Sequence, residues 1–224
     1  RLNQDLRPAA VFETLKITNK KFSPQISRLF NYFGCLNLRL VFLVICLVTA
    51  GLFFISWKRR NLKIPVAYSI FTTGFFGMLA NLLLIFAYQV YYGCLYQKIS
   101  ILTAIFMAGI AAGSILMTAR LSKIKNAKLT LILFEALIAG FSLFLGLAFT
   151  GLNAVWGNLV PGFYILFFIS GLLMGLEFPL AGKMYLGGEG NKIGRVSGVL
   201  YASDLIGGWL AGIFSGVVFL PILG

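Results

Sequence analysis

Residues 129–150 read LTLILFEALIAGFSLFLGLAFT, and Glu135 is the only charged side chain among them. At about 1.5 Å per residue such a run crosses the hydrocarbon core of a bilayer, about 30 Å thick. The apolar residues are continuous and do not alternate with polar ones. That excludes a strand of a membrane barrel, whose outward and inward faces take turns along the chain. The stretch therefore predicts a transmembrane helix.

Similar runs lie on both sides of it. Spans are expected at roughly 40–57, 66–92, 99–119, 129–150, 160–182 and 196–222. Of the 224 residues, 59% are hydrophobic and 11% charged, a balance no soluble domain of this size shows. The expected fold is all-α, a polytopic transmembrane helix bundle of about six spans over residues 39–224. Residues 1–38 are polar, with Pro8 and Pro24 as breaks, and read as a linker. The chain opens on Arg1 and shows no signal peptide, so a piece of a longer protein is expected.

Charge sets the orientation. Lys58, Arg59, Arg60 and Lys63 fill one loop, Arg120, Lys123, Lys125 and Lys128 another, and Lys183, Lys192 and Arg195 a third. The intervening loops carry only Lys98. The positive-inside rule puts the three basic loops in the cytoplasm, although residues 1–39 carry seven basic residues of their own. Tyr88, Tyr91, Tyr92 and Tyr96, at the end of the second span, suit an interfacial aromatic belt. The formal net charge of +13 is spread over span ends, not along one groove-fitting element, so nucleic acid is not an expected partner; the lipid bilayer is.

Catalytic chemistry is scarce. The chain has no histidine, and Cys35, Cys46 and Cys94 have neither metal-ligand nor disulfide-framework spacing. No catalytic residue, metal site or cofactor is expected within it.

Glycines recur at helical spacing in three spans: Gly109 and Gly113; Gly171 and Gly175, with Gly182 on the same side; Gly208, Gly212 and Gly216. Such seams let helix backbones approach closely in lipid. Packing within the chain is the expected use; a seam facing lipid would instead serve a homodimer.

Only six residues are acidic, and Glu135, Glu177 and Asp204 lie inside apolar spans. A carboxylate at a span centre costs about 2.5–3.5 kcal/mol to insert, so it turns inward and finds a partner or a ligand. Glu177 shares a helix face with Ser170, Met174 and Ala181, and Pro179 is expected to kink or break that helix beside it. Asp204 shares a face with Ser197, Tyr201, Gly208, Ala211 and Ser215. Glu177 and Asp204, with Asn81 and Tyr201, are the candidate residues for a substrate or cation; an interhelical hydrogen bond is the competing role, and the commoner one for an Asn. Glu135, two turns into its span and seven residues after Lys128, reads as structural.

Residues 71–116 resemble the membrane repeat of fused proteins that join a major-facilitator-like region to a spermidine synthase-like domain. The resemblance rests on Thr73-Gly74-Phe75, Gln89, Gly93, Phe106-Met107-Ala108-Gly109 and Gly113-Ser114. GLLMGLEFPLA at 171–181 is similar to the fifth-span segment, and GRVSGVLYASDLIGGWLAGIFSGVVFLPILG at 194–224 to the closing span. LNQDLRPAAVF at 2–12 looks like the junction after the synthase domain. One position departs: Asn81 stands where an acidic residue is usual. The resemblance implies an upstream soluble, aminopropyltransferase-like domain that would bind decarboxylated S-adenosylmethionine. It also implies a membrane domain that anchors that enzyme in a bacterial inner membrane, and that could pass a polyamine-like cation by way of Glu177 and Asp204. The alternatives are half of a secondary transporter for an unrelated small solute, since six spans make half of a major-facilitator fold, and a purely structural anchor.

Overall fold

The computed structural model describes residues 63–93, 96–151, 160–187 and 193–216. The expected linker 1–38 and first span 40–57 lie outside the described residues. The described ones are helical, with no strand among them, and five helices are long and apolar enough to cross a membrane. They are α1 (Lys63–Tyr92), α2 (Tyr96–Arg120), α3 (Ala127–Gly151), α4 (Val160–Leu186) and α5 (Ile193–Phe214), with a short 3-10 turn at Leu121–Lys123. Residues 63–211 belong to one compact unit.

Local chemistry sets the helix ends. Pro65 lies in the first turn of α1, where its missing N–H is no loss. Gly93 and Gly187 follow α1 and α4 at φ of 73° and 53°, the left-handed conformation that favours glycine. Gly93 N–H donates to the Gln89 carbonyl at 3.0 Å, closing the last turn of α1. At thirty residues α1 is about 45 Å long, more than the hydrocarbon core requires, so it tilts or extends into the interface.

α4 is the central helix and packs against α1, α2 and α3. Its tightest partner is α2, through the two expected glycine pairs. A Cβ on Gly109 or Gly113 would strike the backbone of α4 between Phe168 and Leu176, and one on Gly171 or Gly175 would strike α2 between Phe106 and Ile110. Where α5 meets α1, the close-approach glycine is Gly207, set against Phe71 and Phe75. The expected seam at Gly208, Gly212 and Gly216 is therefore displaced. Gly208 makes only ordinary contact with Met78 and Gly74, and among the described residues nothing stands near a Cβ at Gly212, Gly216 or Gly182. The buried residues of α5, Val196, Leu200, Gly207 and Ala211, show why: its inner face lies about a third of a turn from the stripe that Gly208 marks.

The apolar core has two layers. One, including Leu84, Tyr88, Phe163 and Phe167, lies toward the end where α1 finishes. The other, including Val66, Ile70, Leu180 and Leu200, lies toward the end where α1 begins. Lys63, Arg120, Lys183 and Arg195 all belong to that second end, as the charge pattern requires. There the Lys183 ammonium donates to the Leu121 carbonyl at 2.7 Å, and Lys63 lies over the Tyr185 ring. At the opposite end Tyr88 is fully buried against Phe163, so it is core and not belt; Tyr91 and Tyr92 are half-buried, and the Tyr96 side chain is outside the described set. Large apolar side chains such as Leu143, Leu147, Ile115 and Trp209 are exposed, as lipid-facing residues are.

Candidate functional site

Between the two apolar layers runs a thin polar one. On α1, Ser69, Thr72 and Thr73 fall between Val66 of one layer and Phe76 of the other. On α3, Glu135 falls between Leu131 and Ile138; on α4, Glu177 falls between Leu173 and Leu180. The three helices bring these residues together.

The Glu177 side chain is completely buried. The Ser69 hydroxyl donates to one of its oxygens, and the Thr73 hydroxyl contacts the other. Thr73 Oγ1 also lies 3.0 Å from the Ser69 carbonyl, its alternative acceptor. The Thr72 hydroxyl lies 3.2 Å from Glu135 Oε1 and 2.7 Å from the Ser69 carbonyl. The two carboxyls are near neighbours. Glu135 thus turns to α1 and α4, not to Lys128 as its position in the span suggests. No Lys or Arg among the described residues meets either carboxyl. The expected role of Glu177 as a cation partner does not suit this arrangement, because its oxygens are engaged inside the protein.

Asp204 is placed differently. Its carboxyl lies over Gly74 of α1, where a Cβ would collide with it. It is half-buried, and no hydrogen bond or ion pair engages it among the described residues. It borders a cavity of about 250 Å³ between α1, α2, α4 and α5. Ile70, Ile110, Met174 and Phe178 make the apolar walls. Thr73, Ser114, Tyr201 and Gly175 also line the cavity, and no Lys or Arg does so among the described residues. Thr73 serves both places: it bounds the cavity and contacts Glu177 behind it.

Pro179 does not divide its helix. α4 runs from Val160 to Leu186 through it. A proline removes one helical hydrogen bond, and packing against neighbouring helices offsets that loss. The carbonyl it deprives is that of Gly175, a cavity residue with no Cβ to crowd the ring. Of the other candidates, Tyr201 borders the cavity but is 59% exposed, and Ser197 points outward. Asn81 is buried away from the cavity, and its Oδ1 has no partner among the described residues.

Sequence reasoning missed the hydroxyls of Ser69, Thr72 and Thr73, and with them the meeting of Glu135 and Glu177. A depth count carries the signal. Ser69 and Thr73 follow Lys63 by six and ten residues, Glu135 follows Lys128 by seven, Glu177 precedes Lys183 by six, and Asp204 follows Arg195 by nine. All lie roughly 10–15 Å from the basic end at 1.5 Å per residue, which puts them in one layer.

No family model matches the chain, and neither a curated protein nor a solved structure resembles it significantly.

Proposed function

We propose that the chain is a membrane-embedded helical domain that accepts a small organic cation in the cavity at Asp204. In this reading it is the six-span, major-facilitator-like half of a fused protein and anchors an upstream spermidine synthase-like domain in a cell membrane. The observation that carries the cation reading is the Asp204 carboxyl. Unlike the other two membrane carboxyls, it has no partner among the described residues, and the described lining of the cavity it faces holds no positive side chain. A carboxylate kept in an apolar layer costs stability unless something compensates it, and a cation drawn from solution does so.

Equilibrium binding of a panel of organic ammonium ions to the full-length protein in nanodiscs tests this. At least one cation binds, and Asp204→Asn weakens its binding tenfold or more. If no cation binds the wild type, or if Asp204→Asn binds as the wild type does, the cavity is not a cation site. The purely structural anchor then takes its place. One observation favours that second reading: Glu135 and Glu177 show that this bundle can consume membrane carboxyls in its own packing.

A further inference from the structure

The cavity is chemically lopsided, and that asymmetry bears on what fits it. Its described lining holds one carboxyl among mostly apolar side chains. Asp204 supplies the carboxyl, Thr73 and Ser114 supply hydroxyls, and Gly175 carries the carbonyl that Pro179 cannot pair. The rest of the described lining is Ile70, Ile110, Met174, Phe178 and the partly exposed Tyr201. The next carboxyl, Glu177, stands outside the cavity behind Thr73, with both oxygens engaged and none of its surface exposed.

We infer that the occupant is an amphipathic monoamine, with one ammonium head and a compact apolar body, and not a polyamine. The inference rests on the cavity being a cation site and narrows its ligand class. One free carboxyl compensates one ammonium. A polyamine carries several, a few methylenes apart, and among the described lining residues no second carboxyl is there to meet another charge. An unpaired charge in an apolar setting is among the costliest arrangements a protein can hold. An apolar body meets the opposite circumstances. The Phe178 ring and the pliable Met174 thioether suit an aromatic or branched group, and a ring face can also attract the ammonium. Size agrees: an apolar cavity of about 150 Å³ holds benzene, so about 250 Å³ has room for a ring with a short aminoalkyl arm.

The test uses two probes, phenethylamine and spermidine, titrated into the full-length protein in nanodiscs. The expected result is phenethylamine binding at least tenfold tighter than spermidine. Asp204→Asn then weakens phenethylamine tenfold or more, and Ser114→Phe, which fills the cavity and leaves the carboxyl in place, abolishes its binding. Circular dichroism melting of both variants shows that they are folded. Spermidine binding as tightly as phenethylamine, or tighter, and still sensitive to Asp204→Asn, overturns the monoamine inference while the cation site survives. Neither amine binding, or phenethylamine binding unaffected by either substitution, overturns the cation site and the inference together.

Discussion

Glu177 and Asp204 are both carboxylates in the membrane layer of one compact unit, yet the fold treats them in opposite ways. Glu177 sits on the central helix, with Ser69 and Thr73 on its oxygens and Glu135 beside it. Asp204 sits on α5 over the backbone of Gly74, beside open volume and without a partner among the described residues. An acid in a membrane helix is thus a poor guide to function by itself. What separates the two is whether the protein's own hydroxyls have already satisfied the group, since a satisfied polar network rigidifies a bundle and an unsatisfied group awaits a partner.

The comparison breaks most readily at Glu177. Glu177→Ala leaves the buried Ser69 and Thr73 hydroxyls without their partner and opens a void, so a loss of about 3–5 kcal/mol is expected in reversible unfolding in detergent. Glu177→Gln keeps the shape and an acceptor oxygen for one of the two hydroxyls, so it costs about 1 kcal/mol. If the alanine variant is as stable as the wild type, Glu177 is not a packed structural acid. Next comes the seam that fixes α4 against α2. Gly171→Val drives a side chain into the α2 backbone at Phe106 and costs about 3 kcal/mol, at the high end for overpacking. Thr72→Val removes one hydroxyl from Glu135, and a loss of about 1 kcal/mol is expected by the same measurement. Gly182→Ala is the smallest change. Its Cβ meets nothing among the described residues, and the helix gains about 0.5–1 kcal/mol from the better helix former. A large loss there would mean that α4 is packed on that side too.

The sequence alone carried much of the fold. Solid apolar runs mark α1 to α5, basic residues mark their common end, and the spacing of Gly109 with Gly113 and of Gly171 with Gly175 marks the seam between α2 and α4. Each of these depends on one helix at a time. The site was less legible because it depends on rotation and register between helices. Counting along α3 sets Glu135 over Lys128, but tertiary packing turns it toward Thr72 and Glu177. Counting along α5 groups Asp204 with Ser197 and Gly208, but the buried face runs through Leu200 and Gly207, which leaves Ser197 outside and Asp204 at the margin. Pro179 misled in the same way. A helix held by neighbours tolerates the loss of one hydrogen bond, and the consequence appears at the Gly175 carbonyl instead of as a break.

The most direct test sets the two carboxyls against each other in one titration. Phenethylamine binding to the full-length protein is measured for the wild type, Asp204→Asn and Glu177→Gln. A loss of tenfold or more is expected for Asp204→Asn, about 1.4 kcal/mol of binding free energy, with Glu177→Gln staying within about threefold of the wild type. Binding that survives Asp204→Asn and fails in Glu177→Gln would contradict the account, because the acid that serves the ligand would then be the one the fold has enclosed.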